Sequence, residues 1–252
     1  MKLEFGQRFR LLWPLSANKR LGLIEPVDSL CLRTIRAALG GFIWFFAVIF
    51  IPAWTLAYWQ GWAFFLTLSI LTTLATIYIA LHDKMLLESR LRGGPIAEKT
   101  SSQKIITAVG SLVFVVAVVV MVFDHRFGWS PAVPAYLSIL GDALGALGIL
   151  VYFFVVKENR YAAATVQVVE GQTVVSTGPY AIVRHPMYAG ALLVFIGAPL
   201  ALGSWWGLLF TPLFIAGVAW RLLNEEKFLC ENLPGYTEYA HKVRYRLVPH
   251  IW

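Results

Sequence analysis

The sequence predicts an all-α fold, a polytopic membrane bundle of about six transmembrane helices. Three observations predict it. Hydrophobic residues make up 58% of the chain and charged residues only 14%, whereas soluble domains have roughly 45–50% and about 25%. Several apolar runs reach or approach the roughly 20 residues that cross a bilayer. The basic residues, finally, fall almost entirely into alternate loops between these runs, which is typical of membrane proteins.

Four of the apolar runs are long and carry few charges. They lie at residues 37–58, 62–81, 105–123 and 136–156. A fifth, 188–203, is shorter and contains Pro199, and a sixth, 205–223, ends just beyond Arg221. Because almost nothing separates the last two runs, we expect them to form a tight helical hairpin. A re-entrant loop is the alternative, since irregular backbone is tolerated at membrane depth only inside protein.

These runs divide the chain into three parts. Residues 1–36 form an N-terminal segment without the pattern of a cleavable signal peptide. Phe5, Phe9 and Trp13 lie there at helical spacing among basic residues, which favours a short interfacial helix. Residues 37–156 hold four spans, and residues 157–252 hold the last two spans with a C-terminal tail.

The basic residues predict the orientation. The chain has 21 Lys and Arg residues, and with six spans only Arg126 falls on the second face. The positive-inside rule then places both termini in the cytoplasm, in a bacterial inner membrane or an equivalent one. The net charge of +7 is explained by anionic lipid headgroups of the bilayer, so no nucleic-acid partner is expected.

Two further features limit the possibilities. Cys31 and Cys230 are the only cysteines and form no CxxC motif, so we expect neither a disulfide framework nor a metal site. The segment VQVVEGQTVVSTGPY, residues 166–180, has β-branched residues on both sides of Glu170 and Gly171. This pattern predicts a short hairpin or an extended segment on the cytoplasmic face.

Polar residues collect at the cytoplasmic ends of the last two runs. Pro186 suits the first turn of a helix, which would place Arg184 and His185 at its positive end, where anions are favoured. Arg221 and Glu225 are four residues apart on a helix and can pair. Ionisable groups beside a membrane helix suggest function, but a snorkelling arginine and solvated acids explain them equally well. On these residues alone both readings stay open.

Three motifs in order carry a resemblance to a known family. They are GPYAIVRHPMYAG at 178–190, RLLNEEKFL at 221–229, and YTEYAHKVRYRLVP at 236–249. Together they resemble the C-terminal half of the isoprenylcysteine carboxyl methyltransferases and their phospholipid methyltransferase relatives, which are integral membrane enzymes. The resemblance covers about residues 159–249. Asn224 departs from it, because many relatives are acidic at that position.

The resemblance implies a cofactor, S-adenosyl-L-methionine, with S-adenosyl-L-homocysteine as product. It implies a cofactor pocket formed by Tyr180, His185, Pro186, Tyr188, Gly190, Glu225, Tyr236 and Tyr239. Gly190 would let its helix approach the ligand closely, and one of the two acids would take the amino group. The candidate catalytic residues are Arg184, Arg221 and Glu226. The arginines would hold an anionic group of acceptor or cofactor, and Glu226 would accept a proton from an amine acceptor.

The acceptor is expected to be lipid-like, because a site at the membrane surface lets a lipid and a soluble cofactor meet. A carboxylate acceptor such as a prenylated cysteine needs no general base, whereas a lipid amine must be neutral to attack. The sequence leaves both open. Two other functions remain as alternatives. One is an NADPH-dependent membrane reductase of a sterol-like or isoprenoid lipid, although Gly178-Pro179-Tyr180 departs from the Gly-Trp-Trp-Gly approach of those enzymes. The other is a non-catalytic membrane module.

Overall fold

The computed structural model describes residues 27–98 and 101–252, and all regular structure in these ranges is helical. The α-helices are α1 Val27–Ala53, α2 Trp59–His82, α3 Lys84–Leu91, α4 Ser101–Phe127, α5 Ala135–Glu158, α6 Pro186–Ala201, α7 Thr211–Asn232 and α8 Tyr236–Lys242. Short 3-10 turns lie at Pro95–Ala97, Gly178–Ala181 and Trp206–Phe210. The interfacial helix predicted around Phe5, Phe9 and Trp13 falls outside the described residues.

Five helical stretches are long and apolar enough to cross a membrane. They are Leu30–Ala53, Trp59–His82, Ser101–Phe127, Ala135–Glu158 and Trp206–Asn232. The apolar helix α6, with 16 residues, is shorter than the roughly 20 residues that a span needs. The predicted all-α membrane bundle is confirmed, and the chain is an integral membrane protein. Which side of the membrane holds the termini stays a prediction.

The first helix differs from its predicted bounds at both ends. It begins at Val27 rather than at residue 37, and it ends at Ala53 rather than at residue 58. Pro52 lies in its last turn and lacks an N–H donor, and Trp54 then adopts a positive φ of 55°. Hydropathy cannot detect this end, because the turn that follows is itself apolar.

Residues 1–38 and 39–252 form two compact units. Of the first, the structure describes the opening turns of α1, in which the Thr34 hydroxyl donates to the Leu30 carbonyl at 2.8 Å.

Helices α5 and α6 touch through glycines. A Cβ added to Gly148 would lie 2.4 Å from the Gly190 carbonyl oxygen, and one added to Gly190 would lie 2.7 Å from the Gly148 carbonyl oxygen. Neither contact leaves room for a side chain. Small residues allow such close approach of membrane helices, and here they fix the first half of α6 against the middle of α5. The predicted role of Gly190, close approach to a ligand, is therefore corrected: its missing side chain serves helix packing.

The connection between α6 and α7 is anchored to the end of α4. Asp124 is buried and accepts hydrogen bonds from the Ser204 hydroxyl at 2.6 Å and the Ser130 hydroxyl at 2.7 Å. A buried carboxylate is stable only when such donors satisfy it. Breaking the bond to Ser204 would therefore be costly, and Asp124 holds the turn at Gly203 and Ser204 in place. The predicted helical hairpin of α6 and α7 is confirmed, and its free ends meet at the opposite end of the bundle.

Residues 166–177 form neither helix nor strand, and the 3-10 turn Gly178–Ala181 follows them. A turn lies at Glu170 and Gly171, where the Gln172 N–H donates to the Val169 carbonyl at 3.1 Å. Gly171 has a φ of 73°, which glycine adopts without steric cost. The described residues form no strand pair here, so the predicted hairpin is absent from them, and the extended alternative stays a prediction.

Candidate functional site

A cavity of about 500 Å³ opens where α6 begins and α7 ends. Its walls come from the start of α6, the end of α7, α8 and the extended segment 159–175. Among its lining residues are Tyr180, Arg184, His185, Pro186, Tyr188, Arg221, Glu225, Tyr236 and Tyr239. Residues about 40 apart in sequence are thus brought together. Of the predicted site residues, Gly190 and Glu226 are absent from this lining.

The start of α6 is placed by the chain on both sides of it. Pro186 is the first residue of the helix, as predicted, and His185 precedes it with an extended φ of −127°. The backbone N–H groups of Arg184 and His185 donate to the carbonyls of Tyr245 and Arg246, both at 2.9 Å. The C-terminal tail therefore packs beneath the hairpin and sets the position of the Arg184–His185 pair.

Glu226 lies behind the cavity wall, where it holds three cationic or titratable side chains. The Arg246 Nε donates to its Oε2 at 2.8 Å, and the Arg184 Nε lies 3.0 Å from its Oε1 without the alignment of a hydrogen bond. The His185 Nε2 lies 3.7 Å from the same Oε1. Two guanidinium groups favour the ionised carboxylate, so Glu226 is a poor proton acceptor. This geometry gives it a structural role rather than the predicted acid–base role.

Glu225, one residue earlier, faces the cavity itself. The Tyr188 hydroxyl donates to its Oε2 at 2.5 Å, and the Arg221 Nε donates to the same hydroxyl at 2.9 Å. The predicted direct pair of Arg221 and Glu225 is therefore wrong, because the Tyr188 hydroxyl stands between them. Among the described residues that line the cavity, Glu225 is the one carboxylate.

Arg221 instead pairs with Glu98, a residue that sequence reasoning missed. The Arg221 Nη2 lies 2.7 Å from Glu98 Oε1, and the Glu98 side chain is 1% exposed. Glu98 follows the short 3-10 turn Pro95–Ala97 between α3 and α4. The only sequence signal is a single acid in a basic loop, which gives no hint of a partner 123 residues away.

Tyrosines form an uncharged wall. The Tyr239 hydroxyl donates to the Tyr180 carbonyl at 2.8 Å, and the Asn159 amide donates to the Tyr180 hydroxyl at 2.9 Å. Burial raises the pKa of Tyr180 to about 12 and raises the pKa values of Tyr236 and Tyr239 well above the ordinary value. Loss of water around a phenol disfavours its charged form, so the wall presents neutral rings and hydroxyls.

Arg90 adds a cation to the cavity that the sequence analysis also missed. Its Nη1 donates to the carbonyls of Ala162 and Ala163 at 3.0 and 3.2 Å, and its guanidinium lies 4.7 Å from the centre of the Tyr152 ring. No carboxylate of the described residues lies within ion-pair distance of Arg90. The cavity therefore contains one carboxylate, Glu225, and one cation without an acidic partner among those residues.

A second cavity, of about 640 Å³, lies beside the first between α4, α6 and α7. It is an apolar groove, and its walls include Val109, Phe114, Phe195, Leu213, Val218 and Trp220. Both cavities share Ala164, Tyr188 and Arg221. The groove leads along the membrane-spanning helices to the polar cavity, and the two meet at these shared residues.

Among the described residues, no group of three His, Cys, Asp or Glu side chains is placed to hold a metal ion. Comparison with known proteins gives one family. Residues 136–234 match the family model described as phospholipid methyltransferase. The matched segment includes α5, α6 and α7, and it ends before Tyr236 and Tyr239. No curated protein matches the chain significantly.

Proposed function

Because residues 136–234 belong to a family of integral membrane methyltransferases that includes the isoprenylcysteine carboxyl methyltransferases, we propose the following activity. The chain transfers a methyl group from S-adenosylmethionine to a lipid-like acceptor at the end of the bundle where α6 begins. One observation carries the proposal: a polar cavity and an apolar groove meet at Tyr188 and Arg221. A soluble cofactor and a lipid chain need two such spaces with one common point.

The polar cavity suits S-adenosylmethionine in size and in chemistry. Its volume of about 500 Å³ falls within the roughly 300–1,000 Å³ of small-molecule sites. Arg90 would hold the carboxylate, as a planar guanidinium can bind two oxygens. The rings of Tyr180, Tyr236 and Tyr239 would cover the adenine or the sulfonium, because aromatic faces attract cations. Glu225 would offset the positive charge of the amino group and the sulfonium.

When bound, the cofactor supplies an electrophilic methyl group. The protein then has to align the acceptor and exclude water, which accounts for much of the rate in such reactions. The tyrosine wall is neutral, and the start of α6 packs against α5 through glycines. They support this role, since none of the tyrosines ionises at neutral pH.

The ion pairs favour an amine acceptor over a carboxylate. Arg184 is paired with Glu226 and Arg221 with Glu98, so a carboxylate acceptor would have to displace a buried glutamate. Around the meeting point, Glu98 and Glu225 carry two negative charges against one positive charge on Arg221. A neutral lipid amine, whose nitrogen gains positive charge as the methyl group arrives, fits this balance.

We place this site on the cytoplasmic face. Twenty of the 21 basic residues support that placement under the positive-inside rule, as only Arg126, in the last turn of α4, lies at the opposite ends of the predicted spans. A reporter that is active only in the cytoplasm should therefore be active when it is fused to the C-terminus. Activity of an extracytoplasmic reporter would contradict the placement.

The proposal is tested with the full chain purified in detergent. Calorimetry should show binding of S-adenosylmethionine and none of NADPH. Incubation with a labelled methyl donor and total lipid extract should label a lipid that carries an amine. Binding of NADPH without S-adenosylmethionine would overturn the proposal in favour of a membrane reductase, and a labelled carboxylate lipid would overturn the choice of acceptor.

A further inference from the structure

We infer that Glu98 is a positioning residue for the methyl transfer, an inference that rests on the proposed function. Glu98 lies outside the matched residues 136–234, in the loop between α3 and α4. It is 3% exposed, although it belongs to a basic surface loop. A carboxylate buried in this way is retained only where its partners satisfy it.

The first Glu98 oxygen holds Arg221. Glu98 Oε1 accepts from the Arg221 Nη2 at 2.7 Å and from the Thr107 hydroxyl at 3.3 Å. The Arg221 Nη1 lies 2.5 Å from the same Thr107 hydroxyl. Since a guanidinium is planar and rigid, fixing both Nη atoms also fixes the direction of Nε.

That direction decides where the Tyr188 hydroxyl lies. The Arg221 Nε donates to the Tyr188 oxygen at 2.9 Å, and the hydroxyl donates in turn to Glu225 at 2.5 Å. Tyr188 lines both the polar cavity and the apolar groove. Through Arg221, Glu98 therefore orients the two groups that stand at the meeting point of cofactor and acceptor.

The second Glu98 oxygen holds the opposite wall. Glu98 Oε2 accepts from the Val166 N–H at 3.2 Å, and Val166 belongs to the extended segment that lines the polar cavity. One buried carboxylate thus connects α4, α7 and this wall. It also offsets the charge of Arg221, which would otherwise repel the positive methyl donor.

The inference predicts a loss of turnover when the charge of Glu98 is removed. Glu98→Gln keeps the size of the side chain but releases Arg221, and misplacing a reacting group by about 1 Å can cost on the order of a hundredfold. We expect kcat to fall by about tenfold to a hundredfold. Glu88→Gln is the matched control, since Glu88 forms an exposed ion pair with Arg92 in the preceding helix, and its kcat should not change.

A double-mutant cycle with Tyr188→Phe separates positioning from general stabilisation. Tyr188→Phe removes the hydroxyl through which Glu98 is inferred to act. Glu98→Gln should therefore cause a clearly smaller loss of kcat in the Tyr188→Phe background than in the wild type, because residues that act through one contact are not additive. Losses that multiply would refute the inference, as would an unchanged kcat in Glu98→Gln alone.

A gentler variant keeps the test decisive if Glu98→Gln does not fold. Thr107→Val removes one hydrogen bond each from Glu98 and Arg221 without burying an unpaired charge. Its smaller loss of kcat should also shrink in the Tyr188→Phe background, and a multiplicative loss would again refute the inference. The wild-type protein is measured beside the variants: if it neither binds S-adenosylmethionine nor transfers a methyl group, the proposed function itself fails.

Discussion

Two adjacent glutamates should respond in opposite ways to the same substitution. Glu226→Gln keeps the shape of the side chain but removes the charge that holds Arg184, whose side chain is only 9% exposed. Removing one partner of a buried ion pair costs about 3–5 kcal/mol, and the remaining amide oxygen recovers about 1 kcal/mol through a hydrogen bond to Arg246. The expected loss of unfolding free energy is about 3 kcal/mol.

Thermal unfolding in detergent measures this loss. For a chain of this size each kcal/mol lowers the Tm by about 2–4 °C, so Glu226→Gln should unfold roughly 6–12 °C earlier. Its affinity for S-adenosylmethionine, measured well below the Tm, should fall little, because Glu226 does not line the cavity.

Glu225→Gln is the matched control. Its carboxylate accepts a hydrogen bond from the Tyr188 hydroxyl. The amide oxygen of glutamine can accept the same hydrogen bond, so the free energy of unfolding should fall by about 1 kcal/mol or less. The affinity for S-adenosylmethionine should instead fall by about tenfold, since the negative charge that Glu225 presents to the cavity is lost. If Glu226→Gln lost donor affinity at an unchanged Tm while Glu225→Gln unfolded early, the assignment of the two acids would be refuted.

Three further predictions concern other parts of the site. Gly190→Ala places a Cβ 2.7 Å from a backbone carbonyl and should lower the free energy of unfolding by about 1–3 kcal/mol. Gly41→Ala in α1 is the control, because a Cβ there meets nothing within 4 Å, and its free energy of unfolding should not fall. Equal melting curves for the two variants would contradict the close packing of Gly190. Burial raises the pKa of Tyr180 from 10.0 to about 12, so its neutral form is favoured in the folded state. The contribution of this pKa shift to the free energy of unfolding should be complete below about pH 10 and lost as the pH rises towards 12. Tyr180→Phe should remove this part of the loss of stability at alkaline pH. If the variant and the wild type lost stability identically with rising pH, a contribution from Tyr180 would be excluded. Arg90→Ala should weaken the binding of S-adenosylmethionine by about tenfold to a hundredfold, corresponding to a hydrogen bond between charged groups. If calorimetry showed full affinity, Arg90 would not hold the carboxylate of the cofactor.

The sequence predicted the elements whose signals are local. Apolar runs located the spans, and Pro186 located the start of α6 because proline favours the first helical turn. The tight connection of α6 and α7 required the ends at Pro186 and Asn232 to be neighbours. That requirement brought most of the predicted cofactor residues to one cavity.

Pairings over long sequence distances were not predictable in this way. Arg221 and Glu225 share a helical face, yet the guanidinium reaches Glu98 in a loop 123 residues earlier. Helical spacing shows which residues can meet, but the packing of α4 against α7 decides which do. Arg90 was missed for the same reason, since its partners are backbone carbonyls of the extended segment, which carry no sequence signal.

For Gly190 and Glu226 the geometry favours roles other than those that the sequence predicts. A glycine in a motif indicates close approach without saying what approaches, and here it is the Gly148 carbonyl. An acid in a motif likewise indicates a role for its charge without saying which group it pairs with. The two guanidinium groups beside Glu226 answer that question, and they lie behind the wall of the cavity.

If a methyl group passes to a lipid where the polar cavity meets the apolar groove, filling the groove should prevent the transfer. Gly217 lines the groove in α7 and has no atom within 4 Å of its Cβ position, so Gly217→Leu should fill the groove without disturbing the fold. We measure labelled methyl transfer to total lipid extract together with donor affinity, in the wild type and in this variant. We expect unchanged binding of S-adenosylmethionine and a severe loss of lipid labelling. Full labelling with the groove filled would contradict this expectation.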